Sequence, residues 1–213
     1  MVVNSMPRIE HIRLIRSRPE RFVLTLDNGT EVVVAPETML QFGVSLHQEL
    51  AEEVFLQMLQ RDEVQRAKDQ ALRFLERRAH SEQELKNKLR QKGYREPAIS
   101  EAIVALRQVG LIDDAAFARQ FVENEMRLRP VGRLLLQQKL RERGIPDDIV
   151  QPLLDQVYRM HSEIEIARQL ARKYRKRHLN WKPSKLRAGL VRFLHSKGFD
   201  WEVIQDVVVD DPD

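Results

Sequence analysis

The hydrophobic pattern along the chain is of two kinds. Near the start, Phe22-Val23-Leu24-Thr25-Leu26 and Thr30-Glu31-Val32-Val33-Val34 are rich in strand formers, and Asp27-Asn28-Gly29 between them signals a hairpin. If all three residues form the loop, with Gly29 left-handed, then Phe22, Leu24 and Leu26 face Val34, Val32 and Thr30. A two-residue Asn28-Gly29 turn would instead oppose Leu26 with Glu31; the three-residue loop is preferred. Ile9–Ile15 reads as a third strand, joined through Ser17-Arg18-Pro19. So small an antiparallel sheet needs a helix to cover it. Residues 46–60 are expected to supply one, with Leu50, Val54 and Met58 on one face at i, i+4 and i+8.

Beyond this point the helical period takes over, and one phrase returns three times. Leu85, Lys88-Leu89-Arg90-Gln91-Lys92-Gly93-Tyr94 recurs as Leu136, Lys139-Leu140-Arg141-Glu142-Arg143-Gly144-Ile145. It recurs more loosely as Leu190, Leu194-His195-Ser196-Lys197-Gly198-Phe199. The glycines lie 51 and then 54 residues apart, the spacing of an array of small units. Each copy is also a helix stop. A glycine at C′ adopts the left-handed conformation, and the apolar residue after it folds back onto C3. The predicted pairs are Tyr94 on Leu89, Ile145 on Leu140 and Phe199 on Leu194.

Helix starts can be placed around these stops. Asp62 with Gln65 and Ser81 with Glu84 have capping-box spacing, and Pro97 suits a first helical turn. The helix from Asp62 is expected to reach about Arg78 with Ala67, Ala71, Leu72 and Leu75 inward. A second helix then ends at Gly93, and residues 98–109 form a third. Asp113 and Asp200 are further caps. The second unit is expected as helices 115–127, 133–143 and 148–157, and the third as Glu163–Arg177, 184–197 and 201–208. The fold class that follows is an all-α array of three tandem three-helix repeats, preceded by a small antiparallel β hairpin or sheet with a covering helix. The expected domains are an extension at 1–61 and repeats at 62–112, 113–162 and 163–213, the last with an acidic tail. A unit of about 50 residues has a small core, so neighbours support one another as stacked repeats do.

Composition narrows the possibilities. The chain has 213 residues, no cysteine and a net charge of +4. Disulfides and thiolate metal sites are excluded. The first ten residues lack an apolar signal core, and no apolar run approaches a membrane span. A soluble, cytoplasmic protein without a membrane partner is expected. Charge is unevenly spread: residues 163–199 carry 11 basic and 2 acidic side chains, whereas residues 200–213 carry 6 acidic and no basic ones. Such asymmetry points to a surface that faces a polyanion or an acidic partner.

Enzyme chemistry finds no foothold. The six histidines are scattered without metal-ligand spacing, the 8 glycines form no phosphate loop, and Gly-x-Ser-x-Gly is absent. Asp113-Asp114 resembles a carboxylate pair, but a helix N-cap explains it better. No catalytic residue, cofactor or metal is assigned. Basic side chains carry the chemistry instead. In the third unit these are Arg168, Arg172, Lys173, Arg175 and Lys176 on a helix whose apolar stripe is Ile166, Leu170 and Tyr174. Lys185, Arg187 and Arg192 follow on the next helix, and the second unit adds Arg127, Arg129, Arg133, Lys139 and Arg141. Cations so grouped neutralise phosphates or meet a carboxylate-rich protein surface. Lys92, Arg143 and Lys197 precede the helix-ending glycines and are assigned to the macrodipole first. Trp181 and Trp201 offer faces for base stacking, but core anchors at helix starts are the preferred reading.

These residues together resemble a family. Ala71-Leu72-Arg73-Phe74-Leu75-Glu76-Arg77-Arg78, Ser81-Glu82, Glu84-Leu85, Lys88-Leu89 and Lys92-Gly93-Tyr94 resemble the first repeat of RecX, the bacterial recombination regulator. Gly110-Leu111-Ile112-Asp113-Asp114-Ala115-Ala116-Phe117-Ala118 resembles its second signature, and Gly132, Leu140 and Gly144-Ile145 continue the match. The third unit fits by spacing more than by identity. The resemblance implies three three-helix repeats bent into an arc and a non-enzymatic protein; a monomer is expected. It implies binding to the RecA recombinase within the groove of the RecA–DNA filament. That binding would restrain ATPase, strand exchange and coprotease activities in recombination, DNA repair and the SOS response. DNA contact would be weak or non-specific. A second reading is a direct DNA-binding module, since three-helix units often place one helix in a groove.

Overall fold

The structure is a computed structural model that describes residues 6–16 and 19–209. The chain divides into two compact units, Met1–Ile112 and Asp113–Asp213. The expected Ser17-Arg18-Pro19 connection and the acidic residues 210–213 fall partly or wholly outside the described residues.

The first unit opens with strands β1 (Ile9–Ile15), β2 (Arg21–Leu26) and β3 (Glu31–Val34), antiparallel in the order β1-β2-β3. Phe22 opposes Val34 and Leu24 opposes Val32, while the Leu26 N–H donates to the Thr30 carbonyl at 2.9 Å. Gly29 has φ +80°. The three-residue loop is therefore the one formed. The inner face (Ile9, Leu24, Leu26 and Val34) is buried against Leu50 and Met58, with Phe55 and Leu59 packed on it.

Helices α1 (Pro36–Phe42) and α2 (Glu52–Leu75) follow. Here three expectations need correction. No helix spans 46–51: α2 begins at Glu52 and runs 24 residues without a break. Leu50 is buried but precedes the helix, and Val54 is 38% exposed while Phe55 faces the sheet. Asp62 is not an N-cap. It lies in mid-helix at 1% exposure, because no glycine or proline interrupts Gln60-Arg61-Asp62-Glu63 and the helix simply continues. The division expected between residues 61 and 62 falls inside α2.

Helices α3 (Glu82–Gln91) and α4 (Glu96–Gln108) complete the first trihelical packing against the later turns of α2. The second unit holds α5 (Asp114–Leu128), α6 (Arg133–Arg141) and α7 (Asp147–Met160). It continues with α8 (Glu163–Arg177), α9 (Pro183–Ser196) and α10 (Trp201–Val209). Its cores repeat that of the first unit. Buried Leu85, Leu89, Ile99, Ile103 and Leu106 recur 51 residues on as buried Leu136, Leu140, Val150, Leu154 and Val157. Leu190, Leu194 and Ile204 occupy the places of Leu136, Leu140 and Val150 in the third repeat, and Phe199 that of Ile145. On α8 the inward positions are Ala167 and Ala171, with Ile166, Leu170 and Tyr174 flanking them half-buried.

The helix stops are as the sequence reads. Gly93, Gly144 and Gly198 have φ of +85°, +73° and +80°. The N–H groups of Tyr94, Ile145 and Phe199 donate to the carbonyls of Leu89, Leu140 and Leu194 at 3.3, 3.1 and 3.4 Å. The glycine N–H groups donate to Arg90, Arg141 and His195, which completes the Schellman pattern. Ser81, Asp113 and Asp200 cap as expected, accepting from the N–H groups of Glu84, Ala116 and Val203.

Candidate functional site

Helix starts without a polar cap residue explain how the repeats are fixed. The N-cap positions of α1, α4 and α6 are Ala35, Arg95 and Gly132, none of which makes a side-chain cap. A carboxylate from a distant helix serves each. Asp62 Oδ1 accepts the Ala35 N–H at 2.6 Å, Glu63 Oε1 the Arg95 N–H at 2.8 Å, and Glu163 Oε1 the Arg133 N–H at 2.7 Å. Negative charge at a helix N-terminus is favourable, and each bond satisfies a donor with no partner inside its own helix. Burial pushes the Asp62 and Glu163 carboxyls up, against the opposing pull of those backbone N–H groups. Glu63 is held down, chiefly by its bond to the Arg95 guanidinium. Sequence reading missed these three roles; the signal was a helix start lacking Ser, Thr, Asp or Asn.

Against this scaffold the candidate cations sort into groups. In the second repeat most of them answer to local acids. Arg133 donates to Asp155 at 2.6 Å and to Gln151 at 3.2 Å. Lys139 pairs with Glu125. Arg141 grips Asp147 bidentately at 2.8 and 2.9 Å, and this hydrogen-bonded guanidinium holds the Asp147 carboxyl below its usual range. Arg127 bonds Asn124, and Arg129 is exposed at the end of α5. Arg143 lies over the Phe121 ring at 4.2 Å and donates to the Lys139 carbonyl, consistent with its place at a helix end.

The α8–α9 stretch of the third repeat differs because residues 163–199 offer only two acids, Glu163 and Glu165. Arg168 pairs with Glu165 at 2.8 Å. Among the described residues, Arg172, Lys173, Lys176, Lys185, Arg187 and Arg192 are exposed and have no carboxylate within ion-pair distance. Helical periodicity places Arg168, Arg172, Arg175 and Lys176 along one stripe of α8, with Lys173 beside it. The α9 cations do not share a face. Lys185 and Arg192, seven apart, lie on one side, and Arg187 lies on the other. Arg187 lines a groove together with half-buried Arg175.

Lys185 Nζ sits 4.6 Å over the Trp181 ring, whose centroid is 4.3 Å from that of His178. His178 and Phe193 in turn lie 4.4 and 4.8 Å from Tyr174. This aromatic run fills the space above Gly189, where a Cβ would meet Tyr174 Oη at 2.6 Å. Trp181 is thus a packing anchor. Trp201 is not: it is 58% exposed, because Phe199, folded back on Leu194, already closes that end of the core. Among the described residues no group of three His, Asp or Glu side chains is placed to hold a metal ion. No described helix is long and apolar enough to cross a membrane.

Comparison with known proteins now bears directly on these repeats. Residues 67–106, 113–154 and 162–208 match the family models for the first, second and third three-helix domains of RecX. The regulatory protein RecX of Chlorobaculum tepidum is 37% identical over 142 residues, covering 67% of this chain and 86% of that protein. That of Geobacillus kaustophilus is 31% identical over 212 residues, covering 96% and 77%. A crystal structure of regulatory protein RecX superposes with a TM-score of 0.75 at 25% identity, covering 96% of this chain and all of the other. RecX from Lactobacillus salivarius gives 0.62 at 26% identity over 70% of this chain and 96% of its own. Three consecutive domain matches, laid on three repeats with equivalent cores, establish that the chain belongs to the RecX family of regulatory proteins.

Proposed function

We propose that the protein regulates the RecA recombinase by binding the RecA–DNA filament, with the basic side chains of the third repeat facing the DNA-bearing groove. The working units are the repeats at 113–162 and 163–213, with the first repeat built on the later turns of α2. The observation that carries this reading is the group of exposed cations on α8 and α9 that lack carboxylate partners among the described residues. Long-chain cations kept unneutralised in a repeat with only two acids at 163–199 are placed to meet phosphates without reading sequence. Family membership supports a regulatory rather than catalytic role. The proposed outcome is restraint of the filament's activities, by a monomer in the cytoplasm, without a cofactor.

The same cations also support a second reading, direct non-specific binding to DNA. Affinities for bare DNA and for RecA-coated DNA, each at two salt concentrations, separate the two. Filament binding much tighter than bare-DNA binding is expected. Equal affinities, both falling steeply with salt, would favour the direct binder.

A further inference from the structure

The groove lined by Arg187 and by Arg175, the half-buried member of the α8 stripe, has a chemistry unlike that of the exposed stripe cations Arg172 and Lys176. It lies within the third repeat, where the C-terminal part of α8, the first half of α9 and the end of α10 meet, and encloses about 1080 Å³. Leu186 and Val191 of α9 and Val208 and Val209 of α10 contribute apolar walls. Val209 is 68% exposed, so the groove is open beside it. Among the described residues no acidic side chain lines it. Arg187 is exposed at its edge, while Arg175 is half-buried and already engaged in an interaction of its own.

An apolar trough with cations along its edge suits a ligand that is both anionic and apolar. Phosphates alone would gain little from the valine and leucine walls, whereas the Arg172 and Lys176 positions offer cations free of such walls. Small-molecule pockets run to roughly 300–1,000 Å³ and enclose their ligands. An open groove just above that range suits an extended segment better. Arginine pairs carboxylates with planar, two-pronged geometry.

We infer that this groove of the third repeat docks an acidic peptide segment of a partner protein, with an apolar side chain of the segment seated between α9 and α10 and a carboxylate on Arg187. The charge of the groove and its apolar lining select this occupant over nucleic acid. The inference goes beyond the recombinase reading and does not rest on it, since its probe is a peptide rather than a filament.

The test uses the full chain and a fluorescein-labelled peptide, Asp-Glu-Leu-Phe-Asp-Glu, with binding followed by anisotropy. A control peptide carries Ser-Ser in place of Leu-Phe. Arg187→Glu and Val209→Asp both lie at exposed positions, so neither should disturb the fold, and circular dichroism checks this. Each variant, and the Ser-Ser peptide on the parent chain, should bind roughly tenfold more weakly or worse, the loss expected on removing one buried apolar or charge-assisted contact. Equal binding of the two peptides, or an unchanged affinity in both variants, overturns the inference. So does a thymidine oligonucleotide that displaces the peptide and loses as much affinity in the Val209→Asp chain, because the groove would then be a nucleic-acid site.

Discussion

Gly132 and Gly198 meet backbone to backbone. The Gly132 N–H donates to the Lys197 carbonyl at 2.8 Å, and the Leu134 N–H donates to the Gly198 carbonyl at 3.0 Å. The helix stop of α9 thus supplies carbonyls to the start of α6, which has no side-chain cap of its own, and ties the second repeat to the third. A Cβ at Gly132 would lie 2.5 Å from Phe199 N, and one at Gly198 would run into the Leu135 backbone, 2.8 Å from its Cα. Glycine at these two positions is a condition of the joint.

The three helix-ending and joint glycines should therefore respond differently to alanine. Gly93 has φ +85° but open space around it, so Gly93→Ala should cost about 1–2 kcal/mol from backbone strain alone. Gly132 has an ordinary φ of −76°, so Gly132→Ala isolates the steric clash, at about 1–3 kcal/mol. Gly198→Ala combines both and should be the most damaging of the three. Urea denaturation ranks them; Gly198→Ala no worse than Gly93→Ala would mean that the joint is loose.

Glu163 gives a pH test with a definite sign. Burial raises its carboxyl in the folded chain, so the fold holds that proton more tightly than the unfolded chain does. Its contribution is most favourable below the unfolded carboxyl value of about 4.3 and declines as pH rises through the folded value. Gln at this position cannot ionise yet keeps an acceptor for the Arg133 N–H. Stability of Glu163→Gln relative to the parent should therefore increase between pH 4 and pH 7. A variant that loses ground over that range would show that the ionised carboxylate is what the α6 start requires.

Asp62 is a buried clip between α2 and the start of α1. Its Oδ1 takes the Ala35 N–H, the Thr38 hydroxyl donates to it at 3.4 Å, and Arg66 Nε lies 2.8 Å from Oδ2. Asp62→Ala strands the Ala35 donor and should cost about 1–3 kcal/mol, whereas Asp62→Asn retains an acceptor and should cost less. Amide hydrogen exchange at Ala35 reads the effect directly. Equal protection in the parent and Asp62→Ala chains would remove the clip from the account.

Signals that act within one helical turn were legible in the sequence. Lys-Gly-apolar at 92–94 is a helix stop that needs no tertiary information, and the Asp113 cap and the Gly29 loop are equally local. Asp62 misled because its spacing to Gln65 is that of a local cap, while burial and a donor 27 residues away decide what it does. Trp201 misled because its place at a helix start says nothing of Phe199 having already filled the core. The cations were legible as a group, but not which of them find acids: the Lys139–Glu125 and Arg133–Asp155 pairs depend on how α5, α6 and α7 pack.

The most direct test of the filament reading is the salt dependence of binding to RecA-coated DNA, for the parent and for a chain with Arg168, Arg172, Arg175 and Lys176 all replaced by Ala. The buried positions Ala167 and Ala171 are untouched, so the repeat should stay folded. The account predicts weaker binding on every DNA sequence and a salt slope shallower by about two to four ion equivalents, because Arg168 already pairs with Glu165 while Arg172 and Lys176 are exposed. Unchanged affinity and slope would contradict it, show the α8 stripe to be a solvated face, and turn attention to Arg127 and Arg129 of the second repeat.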